Sequence, residues 1–450
     1  MMPAVRSPDV VVIGGGFAGL SAACLLAEKG ARVLVLEARP QLGGRATAFV
    51  DRETGERVDN GQHVLFGCYR ATFEFLRRIG AEHNVSRPST LEIPCYDTAG
   101  LRSTLRCPAL PAPLHLLAGV LNWRPIPWSD RLAVLRLVPP LIEARRQLHR
   151  GASLSATADE NVHQWLKRHG QGKILTEWLW EPLAVAALNQ SIDHASAAPF
   201  VRVLAEMFST DRSAAAIVLP LKPLDETYAN PARDFIVRRG GEVRTSALAR
   251  VQISDGRTRS VEVGREKLEA PIVLAAVAWH SLGNLFPGTP GSLEGPLSDA
   301  GRMQSMPIVT VNLWYDRTVM TEPFAGLPGR TMQWVFDKRL TFGESASHLS
   351  LVSSGASAIA GRPNQEIIAV ASDEIRVSLP AARHANVLRA TVIREKRATF
   401  SLAAGQPSRP GPRTAVSGLF LAGDWTDTGL PATIEGAVVS GHAAARAILG

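Results

Sequence analysis

The run Val10-Val11-Val12-Ile13, followed at once by Gly14-x-Gly16-x-x-Gly19, constrains this chain more than any other feature. A β-branched run with no polar side chain reads as a strand buried on both faces. Leu20, Cys24 and Ala27 then recur at helical spacing until Gly30, a natural stop. A second apolar run, Arg32 to Leu36, ends on Glu37. Strand, glycine turn, helix, strand and acid together form a dinucleotide-binding βαβ unit. Gly14 permits the tight turn, Gly16 lets backbone approach a diphosphate, and Gly19 allows close helix–strand packing. Phe17 and Ala18 open the helix, whose first N–H groups and partial positive charge suit an anion. Glu37, with Ala38 beside it, stands where a carboxylate accepts hydrogen bonds from an adenosine ribose. An acid there disfavours a 2′-phosphate, so FAD or NAD fits better than NADP. The competing reading, a glycine-rich turn in an unrelated α/β domain, does not account for strand, helix and acid together.

The same stretch imitates a membrane segment. Val10 to Ala27 is nearly free of polar side chains and follows Arg6. Its four glycines and the lack of a small-residue cleavage pattern argue against a signal peptide or a span. No other stretch approaches the roughly 20 apolar residues a spanning helix needs, so a chain not integral to a membrane is expected. With 450 residues, 46% hydrophobic and 20% charged, the chain can bury a large core in two or three domains. Whole-chain disorder is excluded. Cys24, Cys68, Cys95 and Cys107 form no C-x-x-C pair, and no histidine cluster has metal spacing. A disulfide scaffold and a metal site are therefore not expected, and a reducing compartment such as the cytoplasm is. The net charge of +8 admits nucleic acid, an anionic membrane surface or acidic ligands.

The choice between FAD and NAD rests on later segments. After the acid the chain reads Glu37-Ala38-Arg39-Pro40-Gln41-Leu42-Gly43-Gly44-Arg45. Gly43, Gly44 and Arg45 can bring backbone N–H groups and a guanidinium to a diphosphate; alone, this could be a surface turn. At the far end, Gly418-Leu419-Phe420-Leu421-Ala422-Gly423-Asp424 reads as a strand entering a turn. Gly429-Leu430-Pro431-Ala432-Thr433-Ile434-Glu435-Gly436 reads as a loop entering a helix, whose positive end can face a flavin's N1/O2 edge. Asp424 can hydrogen-bond ribityl or pyrophosphate-side hydroxyls. Together these segments resemble the FAD-dependent amine oxidase and phytoene desaturase superfamily. The resemblance implies FAD held in an extended form between two lobes, without a covalent bond, since no cysteine stands near Asp424 to Gly429.

It also implies a fold class: a discontinuous Rossmann-like α/β FAD-binding domain (1–84, 226–289 and 406–450) and an α+β substrate lobe (85–225 and 290–405). Glu242-Val243, Val251 to Ile253 and Val261 to Val263 read as strands, with a turn at Asp255-Gly256. Ala270 to Ala278 is a continuous apolar run. By resemblance this stretch returns to the cofactor domain and offers backbone to the adenine near Ala249. Within the lobe, 108–150 is rich in Pro, Leu and Trp. Ser129-Asp130 is expected to cap a short helix with Leu132, Leu135 and Val138 on one side, stopped by Pro139-Pro140. Arg145, Arg146, His149 and Arg150 follow. Such a segment suits docking on an anionic membrane surface, or equally an ordinary buried helix pair with a basic edge.

There is no Gly-x-Ser-x-Gly elbow, and basic residues are not interleaved with aromatics, so hydrolysis and nucleic-acid binding lack support. Asp59-Asn60-Gly61-Gln62-His63-Val64-Leu65-Phe66-Gly67-Cys68-Tyr69, Trp178-Leu179-Trp180-Glu181-Pro182-Leu183 and Ala187-Leu188-Asn189 look like the squalene-associated enzymes of bacterial hopanoid synthesis. That resemblance implies reduction of hydroxysqualene to squalene and water with reduced FAD. A long-chain isoprenoid substrate, peripheral attachment to the inner face of the cell membrane and association with other squalene-synthesis enzymes would follow. Replacing an allylic hydroxyl by hydride needs an acid for the leaving water. His63 is the first candidate, on a glycine turn that the family places beside the flavin, though such a histidine often only bonds cofactor or backbone. Glu181 is the second, with a salt-bridged helix carboxylate as the plainer reading. Gly61, Gln62 and Asp59 would orient His63 or the flavin, and Trp178 and Trp180 would be pocket walls. Other readings are an oxidative carotenoid or phytoene-type desaturase, an amine oxidase, and an FAD-bound scaffold without turnover. The amine oxidase needs an aromatic cage and a lysine near flavin N5, and no lysine stands in such a context. A scaffold would gain little from a flavin-ring segment.

Overall fold

The computed structural model describes residues 7–151 and 160–450; Arg6 lies outside them. Val10–Ile13 and Val33–Leu36 are strands with every side chain buried, as unbroken apolar runs require. Each such side chain contributes on the order of 1.5–3 kcal/mol of burial. They sit in the middle of a five-stranded sheet whose order is Leu419–Leu421, Val273–Ala275, Val10–Ile13, Val33–Leu36, Glu242–Arg244. All four pairings are parallel. Three separate stretches of chain thus build one sheet. The helix Phe17–Glu28 covers one part of it and packs against the C-terminal helix Ile434–Leu449. A Cβ on Gly441 would lie 2.3 Å from the Ala18 carbonyl oxygen, so glycine sets that helix contact.

The apolar run from Ala270 to Ala278 forms a strand only over Val273–Ala275, because its ends turn away to the cavity and to a neighbouring hairpin. That hairpin pairs Ala249–Ser254 with Arg257–Val263. Its turn places Asp255 at φ 52° and Gly256 at φ 70°, the left-handed pair such a two-residue connection demands.

The second lobe is built on a seven-stranded mixed sheet. Its order is Val387–Phe400, Ser305–Tyr315, Ser347–Ser353, Trp334–Asp337, Phe324–Gly326, Glu92–Tyr96, Arg102–Arg106. A group of helices from Leu114–Leu121 to Ala197–Met207 lies alongside. Pro139 and Pro140 do not stop a helix; they occupy the first turn of Val138–His149, where no intrahelical N–H is needed. Neither Ser129 nor Asp130 caps the helix Trp128–Ala133. Asp130 instead accepts from the Leu175 N–H at 3.3 Å, tying two helices together. Leu132 and Leu135 are exposed rather than buried, while Val134, Leu137 and Leu141 enter the core.

Candidate functional site

A cavity of about 680 Å³ runs between the lobes. One end is the glycine cradle. Gly14 has φ 115°, and a Cβ on it would meet the Ala276 carbonyl oxygen at 2.3 Å. Gly19 does not line the cavity: its role is contact, since a Cβ there would sit 1.9 Å from the Gly14 oxygen. Gly16 precedes the helix Phe17–Glu28 with no side-chain cap, leaving first-turn N–H groups for a ligand. Gly44, at φ 61°, approaches Gly16 so closely that a Cβ would lie 3.2 Å from its Cα. The Gly43-Gly44 turn and the Gly14–Gly16 turn therefore form opposing rims. Phe17 stacks on Tyr228 with centroids 3.5 Å apart, and the Tyr228 hydroxyl donates to the Gly43 carbonyl at 2.7 Å, locking the two rims together.

Glu37 is buried at the end of its strand. Its carboxylate accepts from the Gly15 N–H at 2.8 Å and from the Arg39 N–H at 2.9 Å. It lines the cavity with Ala38, and Ala247, Leu248 and Ala249 lie along the same wall. The acid and backbone at this end fit an adenosine, and the uncapped helix start fits a diphosphate.

Arg45 and Asp424 do not sit as two independent groups. The Arg45 guanidinium donates to Asp424 Oδ1 at 2.6 Å and to the Ala398 carbonyl at 2.7 Å, and it lies 5.3 Å from the centroid of the Trp279 ring. Two of its guanidinium nitrogens thus meet acceptors of the chain itself. The pair forms a charged ledge where Gly423, Asp424 and Arg45 line the cavity together. Beyond it, Ala432, Thr433 and Ile434 line the wall at the start of the C-terminal helix. The Thr433 hydroxyl caps that helix by accepting from the Gly436 N–H at 3.0 Å. Pro431 does not line the cavity; its carbonyl accepts from the Thr433 N–H at 2.8 Å.

Gly61, Gln62 and His63 line the cavity opposite. His63 Nδ1 lies 2.8 Å from the Gly61 carbonyl, which can only accept, so Nδ1 carries a proton and Nε2 is left for the cavity. Burial is the main reason its pKa falls below the ordinary value; Lys338 and Arg45 also lower it, against Asp59 and the Gly61 bond. Tyr69, at the end of the same motif, also lines the cavity, and burial pushes its phenol pKa up. Glu395 is a further lining carboxylate that no motif announced, hydrogen-bonded by Asn60 Nδ2 at 3.0 Å.

Trp178 walls the apolar half of the cavity, edge-on to Trp123 at 5.6 Å between centroids. Trp180 does not. Its indole N–H donates to Gln171 Oε1 at 3.0 Å, and its ring lines a smaller apolar cavity of about 80 Å³ beneath the helices. Both cavities share Leu91, Leu105, Leu179, Leu183 and Met207 as walls. Glu181 is removed from the site altogether. It stands at the start of the helix Glu181–Leu188, largely open to solvent, and partial burial of its carboxyl, then the charges of Asp193 and Glu177, raise its pKa. The sequence showed a carboxylate next to tryptophans but not which way that helix turn faces.

Two lobes, a parallel sheet with an acid-tipped dinucleotide cradle, and a C-terminal helix aimed at the junction define a flavin-dependent oxidoreductase. Residues 17–449 match the family of flavin-containing amine oxidoreductases, and the chain belongs to that family. A flavin family together with a dinucleotide cradle makes the cofactor FAD. The chain is 30% identical to a hydroxysqualene dehydroxylase of Rhodopseudomonas palustris, over 98% of this chain and 99% of that one. It is 28% identical to another from Zymomonas mobilis, over 96% and 97%. A zeta-carotene desaturase of Capsicum annuum is 25% identical, over 98% of this chain and 80% of its own. In fold, the chain is similar to an oxidoreductase from Methanosarcina mazei, with a TM-score of 0.74, 17% identity, and coverage of 96% and 98%.

Proposed function

We propose that this protein reductively removes the hydroxyl of hydroxysqualene to give squalene for hopanoid synthesis, using non-covalently bound FAD. The observation that carries this reading is the cavity. A single space joins the dinucleotide cradle to an apolar, tryptophan-walled chamber, with a few polar groups near the flavin end. That division suits a long isoprenoid with one oxygen to lose. Similarity over nearly the whole chain to hydroxysqualene dehydroxylases supports it, and the carotenoid desaturases are more distant relatives.

Reduced FAD supplies a hydride. The residues of the chain supply a proton, a place and a dry environment. The C–O bond of the allylic alcohol breaks, its oxygen takes a proton and leaves as water, and carbon takes the hydride pair. His63 is the proposed proton source: its Nδ1–H is held by Gly61, so Nε2 is the atom that gains and gives the proton. A buried imidazolium gives up its proton readily. The aromatic rings of Trp178 and Trp123 in the wall would stabilise positive charge on the substrate, and the surrounding apolar side chains exclude the water that would capture it.

The chain is proposed to work from the inner face of the cell membrane, taking substrate beside other squalene-synthesis enzymes. Among the described residues no helix is long and apolar enough to cross a membrane. The segment 108–150 nonetheless exposes Leu114, Trp128, Leu132, Leu135 and Ile142. Arg124, Arg136, Arg146 and Arg150 are exposed among them, which suits an anionic lipid surface. Anaerobic incubation of the reduced holoenzyme with hydroxysqualene tests the function: squalene is expected, and unchanged hydroxysqualene alongside dehydrogenated phytoene or squalene would favour the oxidative reading.

A further inference from the structure

Lys338 is among the most deeply buried charges in the protein. It follows the strand Trp334–Asp337 of the second lobe and is 1% exposed. Its ammonium donates to Asp59 Oδ2 at 3.1 Å and to Gln62 Oε1 at 2.5 Å, and it lies 3.8 Å from the centroid of the Phe342 ring. Asp59, itself buried, uses its other oxygen to accept from the Leu224 N–H at 3.1 Å. Lys338 does not line the cavity, whereas Gln62 and His63 do.

We propose that Lys338 is a positioning residue for the cavity turn Gly61–His63, acting through Gln62 and Asp59. A buried ion pair is often no more stable than apolar side chains of the same volume, so stability alone does not explain it. Orientation does. An ammonium has donors only, so Gln62 must turn its oxygen toward it and its amide nitrogen away. That nitrogen donates to the His63 carbonyl at 3.2 Å, and Gln62 itself lines the cavity. The amide is thereby fixed in one of its two flips. Lys338 also places a positive charge behind His63. Of the charges acting on that imidazole, Asp59 favours its proton, and Lys338 and Arg45 oppose it.

This deepens the proposed reaction, yet its test needs no substrate. Holoenzyme with labelled histidine is titrated by NMR, and the His63 signal is identified by its loss in His63→Gln. In Lys338→Met the His63 midpoint is expected to move up by roughly half a pH unit or more, since Asp59 is left unopposed. Lys338→Arg, which keeps the charge, is expected to restore it. Lys338→Met paired with Asp59→Asn removes both buried charges and guards against misfolding. That double variant is expected to keep FAD and KM while kcat falls about tenfold. A folded Lys338→Met with an unmoved His63 midpoint overturns the proposal, and so does a double variant with unaltered kcat. Failure of the substrate assignment would show instead as absent squalene with the titration shift intact.

Discussion

Arg45 and Asp424 are 379 residues apart in the chain and 2.6 Å apart in the fold. The contact joins the N-terminal glycine turn to the segment that ends on the C-terminal helix. Both residues line the cavity, so the ledge is built from two distant segments of the chain.

Removing one partner leaves the other charge poorly compensated beside the cofactor. Arg45→Ala is expected to weaken FAD binding roughly 10- to 100-fold, read by fluorescence of released flavin. Asp424→Asn, which keeps one acceptor for Arg45, is expected to cost less. Wild-type affinity in both variants would remove the ledge from cofactor binding.

His63→Ala is expected to keep FAD and to lose most turnover, on the order of a hundredfold. Since burial lowers the pKa of His63, its charged form grows as pH falls below the ordinary histidine range. Wild-type kcat is therefore expected to rise toward acid pH, and this rise to vanish in the variant. Unaltered turnover in His63→Ala would turn attention to Tyr69, His280 and Glu395, which also line the cavity.

The C-terminal helix carries an acid-sensitive contact. His442 is buried with Nε2 3.3 Å from the Arg78 guanidinium, which can only donate, so the ring is neutral. Burial, with Arg78, pushes its pKa down to about 4. A depressed folded-state pKa gives stability that is present above pH ~6.5 and is lost as pH falls toward 4. The loss amounts to about 3 kcal/mol. His442→Gln is expected to narrow the Tm difference between pH 7 and pH 5; an unchanged difference would place the acid sensitivity elsewhere.

Trp128 and Leu132 are 64% and 54% exposed, unusual for such large apolar side chains. Trp128→Ser with Leu132→Ser is expected to reduce cosedimentation with phosphatidylglycerol vesicles several-fold while leaving FAD content intact. Equal cosedimentation of variant and wild type would return this segment to the alternative of an ordinary helix pair with a basic edge.

How much could be read beforehand follows the range of each signal. The cradle was legible because strand, glycines, helix and acid are contiguous, and each has a local backbone reason. The Arg45–Asp424 contact was not, because nothing within either segment names its partner. Lys338 was passed over for the same reason: its carboxylate, amide and ring partners come from distant positions. The one hint is a lysine set among Trp334, Val335, Phe336, Leu340 and Phe342. Glu181 failed because helix composition does not say which side of a turn meets the cavity. Pro139 and Pro140 misled because proline both ends helices and begins them.

The most direct measurement of the central claim follows the hydride. Holoenzyme reduced anaerobically in heavy water carries exchangeable deuterium on its flavin, and hydroxysqualene is then added. The account predicts squalene bearing one deuterium at the carbon that lost oxygen, with one equivalent of flavin reoxidised. Undeuterated hydroxysqualene recovered intact, with the flavin still reduced, would contradict it.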